Sequence, residues 1–136
     1  MKILIDTNII LDVILKREPF YDMAKAVLGL AKRNDVQEFV SASAITDIYY
    51  ISYRQLRNKD LVVNLLKELL TIVSVAEVSK MEILKALELD WSDFEDFVQY
   101  SVALLQKMDC VVTRNLNDYK ESKLPVLLPE QALRII

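Results

Sequence analysis

The sequence lacks histidine and contains one cysteine and one glycine. With no histidine in 136 residues, catalytic triads, imidazole general bases and histidine-ligated zinc sites are excluded. Cys110 alone cannot form an internal disulfide or a multi-cysteine metal site, which fits a reducing compartment. A single glycine, Gly29, excludes the glycine-rich loops that hold phosphates in Walker-type and dinucleotide sites. Any acid or base in this protein is therefore a carboxylate, a lysine or a tyrosine.

Long uncharged runs are also missing. The longest one, Phe97 to Gln106, is far below the roughly 18 residues of a membrane span. The first apolar stretch ends at Asp6, which makes it too short for a secretion signal. With 17 basic and 20 acidic residues the net charge is -3, so any nucleic-acid binding must be local or metal-mediated. We expect a cytoplasmic protein that does not associate with membranes.

What is present is typical of a single globular domain covering residues 1–136, with 53% hydrophobic and 27% charged residues. Five short β-branched or apolar runs alternate with helical stretches, which predicts an α/β fold with a mainly parallel sheet. We place strands at residues 2–6, 38–41, 71–75, 110–113 and 126–128. We place helices at residues 9–15, 20–33, 44–56, 59–70, 80–89, 93–107 and 130–134. Ser79 with Glu82, and Ser92 with Glu95, predict capping boxes.

Four aspartates occupy positions that stand out from the solvated surface. Asp6 ends the first strand, and Asp47 lies on an otherwise apolar helix face, where an unpaired carboxylate costs several kcal/mol. Asp96 is in the first turn of a helix whose next ten residues are uncharged, and Asp118 lies in the loop after the strand 110–113. Because ligands of parallel sheets bind at the carboxyl edge of the strands, we expect all four aspartates near that edge.

Each of these aspartates also has an ordinary explanation. Asp6 fits a turn or cap, Asp96 and its neighbours fit a helix dipole, and Asp118 fits a loop; Asp47 is the hardest to explain in this way. Converging carboxylates raise one another's pKa unless a cation neutralises them, and no basic residue lies beside Asp6 or Asp47 in the sequence. Oxygen ligands favour Mg²⁺ or Mn²⁺, and such an ion supports phosphodiester hydrolysis without histidine or cysteine.

Five motifs occur in the order typical of one family, and together they cover nearly the whole chain. They are Asp6-Thr7-Asn8, the run 9–19, the run 43–51, the helix start 93–96 and the segment 113–119. At these residues the sequence resembles the PIN domain family. The resemblance implies a three-layer α/β/α sandwich around a central sheet of about five strands.

The resemblance also implies metal-dependent cleavage of RNA by an acidic quartet, which would be Asp6, Asp47, Asp96 and Asp118. Many small bacterial and archaeal members are toxins of toxin-antitoxin pairs, often homodimers held inactive by a small antitoxin protein. The second acidic position is frequently glutamate in the family, so Asp47, which is one methylene shorter, would hold the metal either directly or through water.

Several further residues receive roles from the same resemblance. Asn8, Asn115 and Thr113 would be polar helpers near the metal. Asp93 would either share the metal or favour the helix start, and Asp12 would hold an arginine such as Arg17 and not touch the metal. Six basic residues are candidates either for RNA phosphate contacts or for an ordinary solvated surface: Lys16, Arg17, Arg54, Arg57, Lys59 and Arg114. Four tyrosines are candidates for base stacking or for core or dimer packing: Tyr49, Tyr50, Tyr53 and Tyr100.

Two other functions stay open from the sequence. The first is a PIN-like module that binds RNA or protein and has lost catalysis, which the aspartate at position 47 would fit. The second is an aspartyl-phosphate hydrolase or receiver domain, since those proteins also place an aspartate at the end of the first strand. Asp-Thr-Asn lacks the second aspartate of the hydrolase motif.

Overall fold

A computed structural model describes residues 1–136 and contains one five-stranded, all-parallel sheet. Its strands are β1 (Lys2–Ile5), β2 (Gln37–Ser41), β3 (Ser74–Ala76), β4 (Cys110–Val112) and β5 (Val126–Leu127). The spatial order is β3-β2-β1-β4-β5, and Ile3 of β1 lies opposite Glu38 of β2 and Cys110 of β4. The predicted α/β class with a parallel sheet is confirmed.

Seven α-helices surround the sheet, and none has the length and apolar character needed to cross a membrane. They are α1 (Thr7–Ile14), α2 (Tyr21–Gly29), α3 (Ala42–Leu56), α4 (Lys59–Leu69), α5 (Lys80–Glu88), α6 (Phe94–Leu105) and α7 (Pro129–Ile135). Two 3₁₀ segments, Leu30–Lys32 and Leu116–Tyr119, follow α2 and β4. Each predicted helix is present, and the one predicted at 20–33 ends as a 3₁₀ turn.

Two hydrophobic cores lie on opposite faces of the sheet and produce three layers. Along β1, Ile3 and Ile5 join a core with α1 to α4 and α7, whereas Leu4 joins a core with α5 and α6. This alternation follows from the two-residue period of a strand. Because helices cover both faces, β1 and β4 are almost uninterrupted apolar runs.

Two local predictions were wrong at element starts. The third strand begins at Ser74 and not at position 71, because the N–H groups of Ile72 and Val73 still donate to the Leu69 carbonyl at 2.9 and 3.0 Å and continue the turn of α4. The Ser79 capping box is confirmed, with the Ser79 N–H donating to Glu82 at 3.2 Å. The box predicted at Ser92 is absent, because α6 begins after the next residue.

The strand order creates a switch point between β1 and β4. From β1 the chain adds β2 and β3 on one side of the sheet, and then β4 and β5 on the other. Ligands of open parallel sheets bind in the crevice at the carboxyl ends of the strands at such a point. Receiver domains have the order 2-1-3-4-5, so the observed order does not support the receiver alternative.

Candidate active site

Asp6 lies at the switch point, directly after β1. Its N–H donates to the Val112 carbonyl at 3.0 Å, which ties it to the end of β4. Its side chain caps α1, because Oδ1 accepts the Thr7 N–H at 2.7 Å. The residue is only 3% exposed. The carboxylate is therefore fixed at the mouth of the crevice by β1, which precedes it, by the end of β4 and by the start of α1.

Three side chains donate hydrogen bonds to the Asp6 carboxylate. Thr113 Oγ1 and Asn8 Nδ2 reach Oδ2 at 2.7 and 3.2 Å, and Gln99 Nε2 reaches Oδ1 at 3.1 Å. Burial raises the pKa of Asp6, the hydrogen bonds from Thr113, Gln99 and Thr7 oppose this shift, and the charge of Asp118 adds to it. The predicted helpers Asn8 and Thr113 thus lie against Asp6.

Asp96 faces the same crevice from the first turn of α6. The helix is capped by Asp93, whose Oδ1 accepts the N–H groups of Glu95 and Asp96 at 2.9 and 3.3 Å. Burial raises the pKa of Asp96 to about 7, with further contributions from the charges of Asp6, Asp93 and Asp118. Asp93 therefore serves the helix start, which is one of its two predicted roles, and it also borders the crevice.

Asp118 comes to the crevice from the 3₁₀ segment that follows β4 and is exposed to solvent. Its charge raises the pKa of both Asp6 and Asp96, which places the three carboxylates within electrostatic reach of one another. The next residue, Tyr119, is buried, and its hydroxyl has no hydrogen-bond partner. Burial raises the pKa of Tyr119 well above its usual value, and the same three carboxylates add to the shift.

These residues line one open cleft of about 200 Å³, which we call the acid cleft. Its polar wall consists of Asp6, Asp93, Glu95, Asp96, Gln99 and Asp118, together with Thr7, Asn8 and the only basic residue, Arg17. Three of the four predicted catalytic aspartates are thus brought together. The direction rule for parallel sheets correctly placed all three at one edge.

The fourth aspartate, Asp47, does not line the acid cleft. It faces Glu95, which does, and Thr7 Oγ1 donates to Glu95 Oε1 at 3.4 Å. The pKa of Glu95 is raised to about 8, first by burial and then by the neighbouring carboxyl group of Asp47. Glu95 therefore links Asp47 to the carboxylates of the acid cleft.

The sequence matches the PIN domain profile over residues 2–117. The chain belongs to the PIN domain family. None of the curated proteins matches the sequence significantly.

Solved structures of toxin proteins share this PIN fold at low sequence identity. VapBC2 from Rickettsia felis, bound to a DNA fragment from its promoter, has a TM-score of 0.71 and 19% identity over 94% of this chain and 98% of that one. A toxin-antitoxin complex from Klebsiella pneumoniae has a TM-score of 0.66 and 19% identity over 93% and 96%. VapC20 of Mycobacterium tuberculosis, a Sarcin-Ricin loop cleaving toxin, has a TM-score of 0.64 and 16% identity over 80% and 86%.

Two residues that line the acid cleft were missed as candidates from the sequence. The pattern of α6 puts Gln99 on a solvated stripe, but the residue is 1% exposed and donates to Asp6. Its spacing of three from Asp96 puts both on one helix face, which was a usable signal. Glu95 fits a capping box in the sequence. Its contact with Asp47 joins two helices that are distant in sequence, and no local pattern indicates it.

Asp12 lies outside the acid cleft and anchors an arginine pair. It is 0% exposed and accepts hydrogen bonds from Arg114 Nε at 2.6 Å and Arg114 Nη2 at 3.2 Å, with Arg17 Nη1 at 3.9 Å. The prediction that Asp12 holds an arginine is correct, but the main partner is Arg114. The Arg114 N–H also donates to Asn8 Oδ1 at 3.2 Å. Arg114 therefore ties the segment after β4 to α1 through both Asp12 and Asn8.

Asn115 is exposed; its N–H donates to Thr113 Oγ1, and the residue does not line the acid cleft.

Replacing Arg114 with methionine should lower the free energy of unfolding by about 3 kcal/mol, because it leaves the buried Asp12 with only the distant Arg17. The double variant Asp12→Leu/Arg114→Met should lose less than the single variant, because no buried charge remains. Urea unfolding measures both. Lys85→Met, which breaks the exposed pair with Glu88 at 3.8 Å, is the matched control and should cost under about 1 kcal/mol. Losses that simply add in the double variant would contradict this account.

The other proposed RNA contacts lie away from the acid cleft. Three of them are exposed where α3, which starts at the carboxyl edge of the sheet, ends and α4 begins: Arg54 on α3, Arg57 just after it and Lys59 at the start of α4. Tyr100 is buried, and its hydroxyl accepts the Lys123 N–H at 3.0 Å, so it packs in the core. The remaining three tyrosines form a cluster on α3, in which Tyr49 and Tyr53 are parallel at 6.3 Å.

The donor chemistry of the acid cleft fits a hard divalent cation, although no three acidic side chains are already placed as a ligand set. All candidate donors are oxygens, which suit Mg²⁺ or Mn²⁺. Burial raises the pKa of Asp6 and of Asp96, and the charge of Asp118 adds to both shifts, so a cation in the cleft would favour the ionised form of both carboxyl groups. In addition, the buried Gln99 Oε1 has no hydrogen-bond partner.

Proposed function

We propose that this PIN domain is a divalent-metal-dependent endoribonuclease and the toxin of a toxin-antitoxin pair. The observation that carries the proposal is the convergence of Asp6, Asp96 and Asp118, from three separate segments, on one cleft at the switch point of the sheet. Burial and neighbouring negative charge raise the pKa of Asp6 and Asp96 at this place, which favours the exchange of their protons for a cation.

Asp6, Asp96 and Asp118 are the proposed metal ligands, and Asp93 borders them. A bound Mg²⁺ or Mn²⁺ would lower the pKa of a water molecule and neutralise charge on the phosphodiester. The chain itself fixes the ligand geometry: Thr113, Asn8 and Gln99 orient both oxygens of Asp6. Arg17, the one cation lining the cleft, is placed to contact a substrate phosphate.

RNA is the substrate class that the relatives support. VapC20, which shares the fold, is a Sarcin-Ricin loop cleaving toxin. The overall charge of -3 gives no general attraction for nucleic acid, so binding would depend on the cation in the cleft and on Arg17. Incubation with single-stranded RNA tests this directly: cleavage should require Mg²⁺ or Mn²⁺ and stop with EDTA. No cleavage of any RNA at any divalent concentration would overturn the proposal.

Mn²⁺ should stabilise the protein against heat. At about 100 times its Kd an ion adds about 2.7 kcal/mol, which corresponds to roughly 10 °C in melting temperature for a chain of this size. The shift should shrink at pH 6, because Asp96, with a pKa of about 7, must lose its proton to bind the ion. Differential scanning fluorimetry measures this. Asp118→Asn should lose the shift, whereas Asp60→Asn, an exposed carboxylate on α4, should keep it. A melting curve indifferent to Mn²⁺ and EDTA would count against a metal site.

A catalytically silent binding module is the second candidate, and the position of Asp47 favours it. This acidic residue contacts Glu95 and does not line the acid cleft, so the quartet is incomplete. Titration of Mn²⁺ combined with an RNA cleavage assay distinguishes the two functions. Metal binding with no cleavage would support the silent module.

The partners proposed here are a small antitoxin and a second copy of the chain. The complex from Klebsiella pneumoniae supports the first, because a protein of the same fold is found there with an antitoxin. Exposed Tyr50 and Tyr53 on α3 offer apolar surface for the second. Expression of the chain alone should arrest growth, and co-expression of a short neighbouring reading frame should relieve the arrest. Sedimentation at micromolar concentration would test the homodimer.

A further inference from the structure

A second cleft opens beside the acid cleft and shares Asp118 with it. This side cleft has a volume of about 220 Å³. It lies between residues 90–92, which precede α6, and residues 117–121, which follow β4. Apart from Asp118, its wall residues take no part in the proposed metal chemistry. The side cleft therefore needs an explanation of its own.

Trp91 forms the aromatic wall of the side cleft, and three other aromatic rings pack against its indole. Its ring centroid lies 4.7 Å from Tyr100 at an interplanar angle of 32°. Phe97 and Tyr119 meet it at 5.5 and 5.8 Å with nearly perpendicular rings. These neighbours come from α6 and from the 3₁₀ segment that carries Asp118. Since the indole is already ordered, a ligand that contacts it loses little affinity to side-chain ordering.

The polar groups around Trp91 combine hydrogen-bond donors and acceptors. Asp90 and Glu121 offer acceptors, Lys120 offers donors, and Ser92 and Asn117 offer both. Such a mixture matches the edge of a planar heterocycle, which also carries donors and acceptors.

The charge balance of the side cleft disfavours a phosphate. Three carboxylates, those of Asp90, Asp118 and Glu121, face a single ammonium group on Lys120. An anion would be repelled, whereas an uncharged ring with N–H groups would not. An RNA strand that places a phosphate in the acid cleft would therefore present a base, and not its next phosphate, to the side cleft.

We infer that the side cleft binds one nucleobase of the RNA, adjacent to the phosphate held in the acid cleft, with the base against the Trp91 indole. This inference rests on the proposed function for the identity of the ligand as RNA. Because aspartate and glutamate accept hydrogen bonds from exocyclic amino groups, and uracil has only its ring N3–H to donate, Asp90 and Glu121 favour adenine, cytosine or guanine over uracil. The side cleft is thus the base-selective part of the substrate site.

Trp91 is the only tryptophan in the chain, so its fluorescence reports on the side cleft directly. The experiment titrates the Asp6→Asn chain, in Mg²⁺, with single-stranded heptauridine in which the fourth, central nucleotide is adenosine, cytidine, guanosine, uridine or an abasic sugar. The amino-bearing bases should quench the emission. The abasic strand should bind about tenfold more weakly and leave the emission unchanged, because a base stacked on an aromatic ring contributes affinity of that order.

Two variants test the assigned roles. Asp90→Asn/Glu121→Gln should remove the preference for amino-bearing bases while quenching persists, and Asp60→Asn should change neither. Trp91→Leu, checked for folding by circular dichroism, should raise KM of the active chain about tenfold. Equal affinity and equal emission change with the adenosine and abasic strands would overturn the inference, as would an unchanged base preference in the double variant.

The outcomes separate this inference from the proposed function. Base-dependent quenching in a protein that cleaves no RNA would support base binding in the side cleft and overturn the proposed nuclease activity. Cleavage that is equally fast beside a base and beside an abasic sugar would support the nuclease activity and overturn base binding in the side cleft. Quenching by an arginine-containing peptide but by no RNA would identify a protein ligand and overturn the inference.

Discussion

Replacing Asp6 with asparagine should reduce Mg²⁺- or Mn²⁺-dependent RNA cleavage by about a thousandfold while the fold is retained. The substitution changes little in shape, and the side-chain oxygen can still accept the Thr7 N–H that caps α1. What disappears is a fixed negative charge at the centre of the acid cleft. Because Asp6 is buried and receives hydrogen bonds from three other side chains, no neighbouring carboxylate can take its place.

Asp60→Asn is the matched control for this experiment. It removes the same charge from an exposed position in the first turn of α4, outside the acid cleft. Its cleavage rate should equal that of the unmodified chain. Circular dichroism and melting temperature confirm folding of both variants. Undiminished cleavage by Asp6→Asn would refute the assignment of the acid cleft as the active site.

Replacing Glu38 with glutamine should stabilise the protein by roughly 4 kcal/mol above pH 8 and by almost nothing below pH 4. Glu38 is 1% exposed in β2, and neither carboxylate oxygen has a hydrogen-bond partner. Burial raises its pKa from 4.5 to about 8. No salt bridge reaches it, so ionisation in the folded chain is not compensated.

The direction of the pH dependence follows from this raised pKa. The folded chain holds the Glu38 proton up to about pH 8, whereas the unfolded chain releases it near pH 4.5. Stability is therefore complete below the unfolded pKa and is lost as pH rises through the folded pKa, at up to about 1.4 kcal/mol per pH unit. The pKa values of Asp6, Glu95 and Asp96 are also raised. These groups are present in both the unmodified chain and Glu38→Gln, so their effects cancel in the difference in the free energy of unfolding.

Urea unfolding of the unmodified chain and Glu38→Gln at intervals from pH 4 to pH 9 measures this difference. Glu68→Gln, at an exposed position on α4, should show no pH-dependent difference. A Glu38→Gln difference that stays constant across the range would mean that the carboxyl group is hydrated or paired in the folded protein.

The layout of the acid cleft could largely be predicted from the sequence, because it depends on strand direction. Asp6 and Asp118 follow strands of one parallel sheet, and α6 runs from the same edge, which brings Asp96 to it. The start of α6 was less predictable, since Ser92 and Asp93 are both good caps and only the packed helix decides between them. Asp93 caps the helix, which leaves Glu95 free to meet Asp47.

Contacts between distant helices could not be predicted in this way. The pairing of Asp47 with Glu95 depends on how α3 packs near α6, and the choice of Arg114 over Arg17 as the main partner of Asp12 depends on the path of the chain after β4. The burial of Glu38, in contrast, could be predicted from the sequence. Side chains two residues apart in a strand point to the same face, so Glu38 faces the same core as the buried Val40.

The central claim is that Asp6, Asp96 and Asp118 hold a divalent cation together. A crystal grown with Mn²⁺ and measured near the manganese absorption edge tests it most directly. We expect an anomalous peak in the acid cleft within coordination distance of oxygens from all three aspartates. A map in which the cleft holds no manganese, or in which the three carboxylates point to different places, would contradict it.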